Sequence, residues 1–224
     1  MKTLTTLSAI IFALFAFTST CYAILSSSDL NTGGDGLLTF DDRTNLEWLD
    51  APLSVNRSYN DLVGLDGSDE FAIGGDFAGF RLAFTGEVRS LFVDTLGIPL
   101  TDFAQWVPGS YDKVIALHLL MGTTSGGDFA EIRSITADAR NAASHWQSFA
   151  RICQNGFASV CANVNTANVN TNGTAIPDAF SNATTGAWLV RQRATSVPEP
   201  GILVLLCIGL TVIGFMRKEL HNIR

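Results

Sequence analysis

Four cysteines are distributed unevenly along the 224-residue chain. Cys21 and Cys207 lie in strongly apolar terminal segments, which leaves Cys153 and Cys161 as an isolated pair in the body of the chain. A metal site at this pair would need nearby histidines or further cysteines, and none is suitably placed. Because an oxidising compartment favours disulfides, we expect Cys153 and Cys161 to be joined in an exported domain. Such a short loop contributes about 2–3 kcal/mol of stability.

The histidines and acids do not form a recognisable catalytic pattern. His118 stands inside the apolar run "VIALHLLMG", which is typical of a hydrogen-bonded core histidine, and His145 has no distinguishable acid partner. The sequence contains neither a Gly-x-Ser-x-Gly elbow nor a Cys-His signature. Glu47 and Asp50 could pair for glycoside hydrolysis, but most acid pairs at this density do not. We therefore expect no catalytic residues and no enzymatic activity.

One polar stretch, "DLNTGGDG", partly matches a calcium loop. Asp29, Asn31 and Asp35 occupy ligand positions 1, 3 and 7. Gly33 stands where position 5 needs a polar side chain, and Phe40 stands where position 12 needs glutamate. The favoured interpretation is an Asn/Asp/Gly turn without a metal, and calcium binding is the alternative. We expect no metal site and no other cofactor.

Four tryptophans lie outside the terminal apolar segments. Trp48 and Trp188 belong to stretches that read as strands, so core packing explains them best. Trp106 lies in "FAQWVPGSY", a stretch typical of a loop, where an aromatic ring can stack on a sugar. Trp106 is therefore the candidate for ligand contact.

The spacing of apolar residues predicts the elements of the first half of the chain. "DGLLTFDDRTNLEWLD" reads as two strands around a turn. Ser54 is expected to cap a helix that carries Tyr59 and Leu62. Thr85 is expected to cap an amphipathic helix that ends near Gly97.

The second half mixes clear and ambiguous signals. "YDKVIALHLLMG" fits a buried strand or a short helix, whereas "EIRSITADA" and "SHWQSFARIC" favour strands. The Asn/Thr-rich residues 162–186 lack apolar mass and are expected to form a mobile surface loop. "GAWLVR" predicts the last strand.

Both ends of the chain resemble targeting segments. Residues 1–23 combine a basic start, an apolar run and small residues at the end, which predicts a signal peptide cleaved after Ala23. Residues 24–191 are the predicted extracytoplasmic domain, and residues 192–200 are a linker. Residues 201–216 are a predicted transmembrane helix with a length of about 22–24 Å, against a hydrocarbon core of about 30 Å. The basic residues 217–224 are expected in the cytoplasm.

The C-terminal pattern resembles the PEP-CTERM sorting signal. Val197-Pro198-Glu199-Pro200 precedes the apolar helix, and Arg217-Lys218 follows it. This resemblance implies export through the general secretion machinery and signal peptidase, followed by processing by an exosortase, a membrane-embedded cysteine protease-transpeptidase. It also implies an exopolysaccharide-producing Gram-negative host. The prolines keep the motif extended, as a protease cleft requires.

The body of the chain is similar in order to the Lcl C-terminal domain family, which is related to C-type-lectin-like folds. The similarity is carried by "TNLEWLD", "GFRLAFTGEVRSLF" and the terminal "GAWLVR", and Phe80 stands where the family has tryptophan. The resemblance implies a single α+β domain with a mixed or antiparallel sheet and two helices, in which the first and last strands pair. The alternative fold is an all-β sandwich.

The charge balance of the predicted domain restricts its partners. Residues 24–196 carry about 19 acidic and about 10 basic side chains, which gives a net charge near −9. This charge disfavours nucleic acids and anionic membrane surfaces. The sequence therefore predicts a non-catalytic protein of the cell surface or extracellular matrix, transiently anchored in the inner membrane and associated with exopolysaccharide. The alternatives are a carbohydrate-binding or adhesive module, assisted or not by calcium, and a secreted hydrolase.

Overall fold

The computed structural model describes residues 24–65, 67, 69–101, 105–126, 129–153 and 165–193. The strands in these ranges are β1 (Leu25–Ser28), β2 (Leu38–Asp41), β3 (Leu46–Leu49), β4 (Arg81–Leu82), β5 (Phe129–Asn141), β6 (Ser144–Cys153), β7 (Thr166–Pro177), β8 (Gly186–Ala187) and β9 (Leu189–Gln192). The α-helices are α1 (Tyr59–Leu62), α2 (Thr85–Ser90) and α3 (Tyr111–Met121). Shorter helical turns occupy Ala51–Ser54, Leu91–Thr95 and Pro108–Ser110.

The strands form two sheets. The first has the order β1-β2-β3-β9-β4 and is antiparallel throughout. The second has the order β7-β6-β5-β8, with β5 and β8 parallel. Only Trp188 separates β8 from β9, so the chain crosses from the second sheet to the first at this residue. The fold is mixed and sheet-rich with few helices, and its C-type-lectin-like character stays a prediction.

Several local predictions are confirmed. The hairpin of β2 and β3, the strands β5 and β6, and the last strand β9 lie where the sequence predicts them. The ambiguous "YDKVIALHLLMG" is the helix α3, which buries Val114, Leu117 and Met121 against the core. The helix α2 ends in a π turn that leads to Gly97, whose φ of +60° is the left-handed conformation of a helix end.

The core is centred on three aromatic rings. Trp48 of β3 and Phe92 meet the indole of Trp188 edge-on, with ring centroids 6.0 and 5.7 Å away. All three side chains are at most 1 % exposed. Edge-to-face contact suits the quadrupoles of aromatic rings and adds about 0.5–1.5 kcal/mol per pair beyond burial. The expectation that Trp48 and Trp188 serve in the core is confirmed.

Residues 166–177 correct the predicted surface loop. This Asn/Thr-rich segment is the strand β7, and Ala167, Asn168 and Val169 are at most 1 % exposed. The amide of Asn170 donates to the carbonyl oxygen of Thr101 at 2.8 Å. Thr and Val favour strands, and hydrogen bonds donated by the amide nitrogens of Asn168 and Asn170 to backbone carbonyl oxygens offset part of the cost of their burial. The low apolar content was therefore misleading.

The role predicted for Ser54 is wrong. Helix α1 is capped by Ser58, whose hydroxyl accepts from the backbone N–H of Asp61 at 3.1 Å, while the Asp61 carboxylate accepts from the Ser58 N–H at 2.7 Å. This reciprocal pair is a capping box. Ser54 is buried, and its hydroxyl accepts from the N–H of Ala187 at 2.8 Å, which fastens the Ala51–Ser54 turn to β8.

Thr85 is likewise the first residue of α2, not its cap. The backbone N–H of Phe84 donates to the Glu87 carboxylate at 2.8 Å, and the N–H of Thr85 donates to Asp138. A carboxylate beside the first turn is also favoured by the helix dipole.

Gly186 provides a test of the contact between β8 and this turn. A Cβ atom at Gly186 would lie 2.6 Å from the carbonyl oxygen of Ala51 and 2.8 Å from the Ser54 hydroxyl. We expect Gly186→Ala to lower the free energy of unfolding by about 1–3 kcal/mol, measured by chemical denaturation with tryptophan fluorescence. Gly86→Ala is the matched control, because a Cβ there has no neighbour within 4 Å and the site is helical. The control should be neutral or stabilising by about 0.5–1 kcal/mol, and equal losses in both variants would contradict the proposed crowding.

Candidate functional site

The predicted processing residues lie at the two ends of the chain. Ala23 and residues 194–224, which include the Val-Pro-Glu-Pro motif, the apolar segment and Arg217-Lys218, are outside the described residues, as is Cys161. Cys153 is fully buried at the end of β6, and its bond to Cys161 stays a prediction. In the ranges given above, no helix has both the length and the apolar composition to cross a bilayer.

The stretch that partly matched a calcium loop is folded around Asp35. Its carboxylate accepts hydrogen bonds at 2.9–3.2 Å from four backbone N–H groups, those of Leu30, Asn31, Thr32 and Leu37. These bonds hold the pKa of Asp35 far below its usual range. The Asp29 carboxylate accepts from the N–H of Gly36 at 3.0 Å. The turn interpretation thus accounts for both carboxylates, and among the described side chains no group of three or more acids, cysteines or histidines is placed to hold a metal.

Trp106 stands beside the edge of β7. It is half-buried, and the next residue, Val107, exchanges backbone hydrogen bonds with Ala167 at 2.8 and 3.0 Å. Within the described part of the chain, its indole makes no hydrogen bond or ring contact. Its role in ligand contact stays a prediction.

The two histidines of the domain have different surroundings. His118 is buried, and its Nε2 lies 3.0 Å from the carbonyl oxygen of Ala150. Burial lowers the pKa of His118, although this hydrogen bond opposes the shift. The expectation of a core histidine is confirmed.

The expectation that His145 has no acid partner is wrong. Its Nδ1 lies 2.7 Å from Asp178 Oδ1, and its ring stacks on Tyr59 with 3.5 Å between centroids. Asp178 directly follows β7, in the stretch expected to be a mobile loop. The three residues join α1, β6 and the end of β7, which gives the cluster a structural role.

The acid pair considered for glycoside hydrolysis is divided between two environments. Glu47 Oε2 accepts from Arg191 Nε at 2.8 Å, an ion pair between the neighbouring strands β3 and β9. Asp50 lies three residues further on, and its Oδ1 is buried with no hydrogen-bond partner among the described residues. The charge of Glu47 is therefore paired with that of Arg191, whereas Asp50 is not part of this ion pair.

A cleft of about 460 Å³ opens beside the same arginine. Leu49, Leu53 and Phe80 supply apolar surface, and the guanidinium of Arg191 lies 4.9 Å from the centroid of the Phe80 ring. Arg57, on the same cleft, lies 2.7 Å from a carboxylate oxygen of Glu70 and 2.7 Å from one of Asp76. Among the residues that the structure describes, both arginines of the cleft are therefore matched by carboxylates.

A second cluster of charges, which the sequence did not predict, lies on the second sheet. Glu131 of β5 is 1 % exposed and accepts from Arg151 Nε of β6 at 2.6 Å. It also accepts from Arg133 Nε at 3.0 Å and Nη2 at 2.7 Å. Burial lowers the pKa of Arg151, and the charge of Glu131 opposes that shift. In the sequence, the signal for this cluster was the spacing of Glu131 and Arg133, which are two residues apart and so lie on one face of a strand.

Calcium provides a test of the Asp35 turn. Because backbone N–H groups occupy the Asp35 carboxylate, we expect neither millimolar calcium nor a chelator to change the melting temperature of the protein. The measurement is a thermal melt followed by circular dichroism, with magnesium as the control for ionic strength. A melting temperature that rises with calcium and not with magnesium would contradict the turn interpretation.

Asp50 provides a test of pH dependence. Burial, with a smaller contribution from the charge of Asp35, raises the pKa of Asp50 to about 6. The folded protein therefore holds this proton more tightly than the unfolded chain, whose aspartates titrate near 4. The protonated carboxyl group of Asp50 therefore adds to the free energy of unfolding below about pH 4. This contribution is lost as the pH rises from about 4 to about 6.

Asp50→Asn removes this titration. At pH 7.5 we expect the free energy of unfolding of the variant to exceed that of the native chain by about 1 kcal/mol. This figure allows for the solvent screening of a half-buried group. The advantage should vanish near pH 4, as measured by urea denaturation across this range. Asp112→Asn, at an exposed position on α3, is the control. Parallel pH profiles for Asp50→Asn and the native chain would contradict the assignment.

Comparison with known proteins identifies the end of the chain. No curated protein and no solved structure matches the chain as a whole. Residues 196–218 match the family model of the PEP-CTERM protein-sorting motif. The match covers Val197-Pro198-Glu199-Pro200, the apolar segment and Arg217-Lys218 in that order. The chain is therefore a PEP-CTERM domain-containing protein, exported and targeted to an exosortase.

Proposed function

We propose that this protein is a non-catalytic component of the cell surface or extracellular matrix, associated with exopolysaccharide and released from a transient membrane anchor by an exosortase. The observation that carries the proposal is the sorting motif at residues 196–218. If it forms the helix that the sequence predicts, the apolar segment would be about 22–24 Å long, which is short for a bilayer core of about 30 Å and suits a tether that is later removed.

The chemistry of the domain supports a non-catalytic role. His118 faces a backbone carbonyl in the core, and His145 lies between Asp178 and the ring of Tyr59. Glu47 is paired with Arg191. These groups have structural partners that account for their positions, so none is left poised as a general acid or base.

The composition of the domain supports an extracellular location. Its net charge near −9 favours solubility and disfavours adsorption to anionic lipid. The predicted disulfide between Cys153 and Cys161 would form after export, since oxidising compartments maintain such bonds.

A second candidate function is a carbohydrate-binding or adhesive module. It is favoured by the charge cluster of Glu131, Arg133 and Arg151, which adjoins a polar pocket on the second sheet. Such a module and a matrix protein are compatible, because a surface protein can be retained by binding the polymer around it.

Intact mass spectrometry of the mature protein from its own host tests the proposed sorting. We expect a mass that lacks residues 1–23 and the apolar segment with its basic tail. Glu199→Ala should leave the uncut chain in the inner membrane, because the motif that presents the chain to the exosortase is altered.

Glu219→Ala is the matched control, since Glu219 lies just beyond the matched residues. It removes the same charge and should be processed as the native chain is. Recovery of a mature protein that retains residues 201–224 would refute the proposed sorting.

A further inference from the structure

The cleft of about 460 Å³ lies over the face of the first sheet that is turned away from the aromatic core. Trp48 of β3 and Val190 of β9 face that core, so the next residue along each strand points to the opposite side. These residues are Leu49 and Arg191, and both line the cleft. Its volume falls within the range of about 300–1,000 Å³ that is typical of small-molecule sites.

The floor of the cleft is apolar. Leu49, Phe77 and Phe80 belong to a second cluster of buried apolar side chains, and each is at most 8 % exposed. Leu53, which also lines the cleft, is 42 % exposed. It therefore presents apolar surface that a ligand can cover, and removing such surface from water favours binding.

One wall of the cleft belongs to a series of turns, residues 69–80, that Arg57 holds in place. The two terminal nitrogens of Arg57 lie 2.7 Å from Glu70 Oε1 and 2.7 Å from Asp76 Oδ2. Within the turns, the N–H of Phe77 donates to the carbonyl oxygen of Glu70 at 2.9 Å. These contacts form the wall before a ligand arrives, which lowers the entropy cost of binding.

The Asp35 turn contributes another part of the wall. The Asp35 carboxylate accepts from the backbone N–H groups of Leu30 and Asn31, and both of these residues line the cleft. Asn31 is exposed, and its side-chain amide makes no hydrogen bond to any described residue. The stretch that partly matched a calcium loop thus places an amide at the cleft, where it can both donate and accept.

Further donors and acceptors in the cleft have no partner in the described part of the chain. Arg191 uses its Nε on Glu47, and neither its Nη1 nor its Nη2 makes a hydrogen bond there. The same holds for the Nε of Arg57 and for Asp76 Oδ1. A hydroxyl group both donates and accepts, so the adjacent hydroxyls of a sugar ring match this mixture.

The charges of the cleft disfavour an acidic ligand. Arg57 and Arg191 both line it, and each is paired with at least one carboxylate. A bound anion would compete with these carboxylates for the guanidinium groups. It would also lie close to Asp76, whose side chain is 66 % exposed. Because like charges repel across an interface, an uncharged ligand suits this cleft better.

We propose that this cleft binds uncharged sugar rings of a neutral polysaccharide. Asn31, Asp76 and the Nη groups of Arg191 bind ring hydroxyls, and Leu53 contacts the C–H groups of a ring. The proposal deepens the proposed function, on which it rests for the presence of such a polymer outside the cell. The pocket on the second sheet has about 180 Å³, which is below the typical range for ligand sites, so the cleft is the better match.

The test is isothermal titration of the full chain with four neutral trisaccharides, namely cellotriose, maltotriose, mannotriose and galactotriose. The chain is purified in lauryldimethylamine oxide, because a detergent with a sugar head group would compete for the cleft. We expect at least one of the four to bind saturably. Tri-galacturonate, the acidic probe, should bind at least about tenfold more weakly than the tightest neutral trisaccharide.

Two variants with matched controls assign the binding to this cleft. Asn31→Ala should weaken it about threefold or more, whereas Asn172→Ala, the same change at an exposed position on β7, should alter it less than about twofold. Leu53→Ala should also weaken it about threefold or more, and its control is Leu119→Ala at an exposed position on α3. Thermal melts verify that each variant is folded, and either cleft variant decides the matter if the other is not.

Three outcomes would overturn the proposal. These are the absence of saturable binding of all four neutral trisaccharides at about 10 mM, binding of tri-galacturonate as tight as that of the best neutral sugar, and native affinity in both cleft variants. Failure here is distinguishable from failure of the proposed sorting, because the mass of the mature protein does not depend on the cleft.

Discussion

The passage of the chain through Trp188 is the constraint on which the two sheets depend. The N–H of Trp188 donates to the carbonyl oxygen of Ile135 in the second sheet at 3.0 Å. Its own carbonyl accepts at 2.7 Å from the N–H of Ala83, which follows β4 of the first sheet. The indole meanwhile fills the space between Trp48 and Phe92. One buried residue thus fixes the backbone of both sheets and the packing between them, and no smaller side chain would fill that space.

Much of the fold could be predicted from local patterns, and the rest depended on pairing between distant segments. The β2–β3 hairpin and the final strand carry clear apolar signals around turn residues, and both lie where expected. Strand β7 does not carry such a signal, because the amide nitrogens of Asn168 and Asn170 donate to acceptors that only the folded chain supplies, the carbonyl oxygens of Gln105 and Thr101. Composition measures how much apolar area a segment can bury. It does not measure the hydrogen bonds that allow polar groups to be buried with it.

The candidate sites also differ in whether local sequence is sufficient to predict them. The sorting signal is a linear motif, so the sequence alone was sufficient to recognise it. The charge cluster needs the register that places Glu131 opposite Arg151 across β5 and β6, twenty residues apart in the chain. His145 and Asp178 are likewise brought together by the pairing of β6 and β7. Long-range register was beyond what spacing along the chain could establish.

The position of β9 has a mechanical consequence. This strand lies between β3 and β4, antiparallel to both, and it ends at Gln192, shortly before the sorting motif begins at residue 196. Tension on the polypeptide beyond Gln192 would therefore be carried by an interior strand and not by an edge. Because sheet hydrogen bonds run perpendicular to the strands, such a pull shears the ladders on both sides together instead of peeling them open one by one. A protein held to a surface by this end would resist extraction at the point where the load enters it.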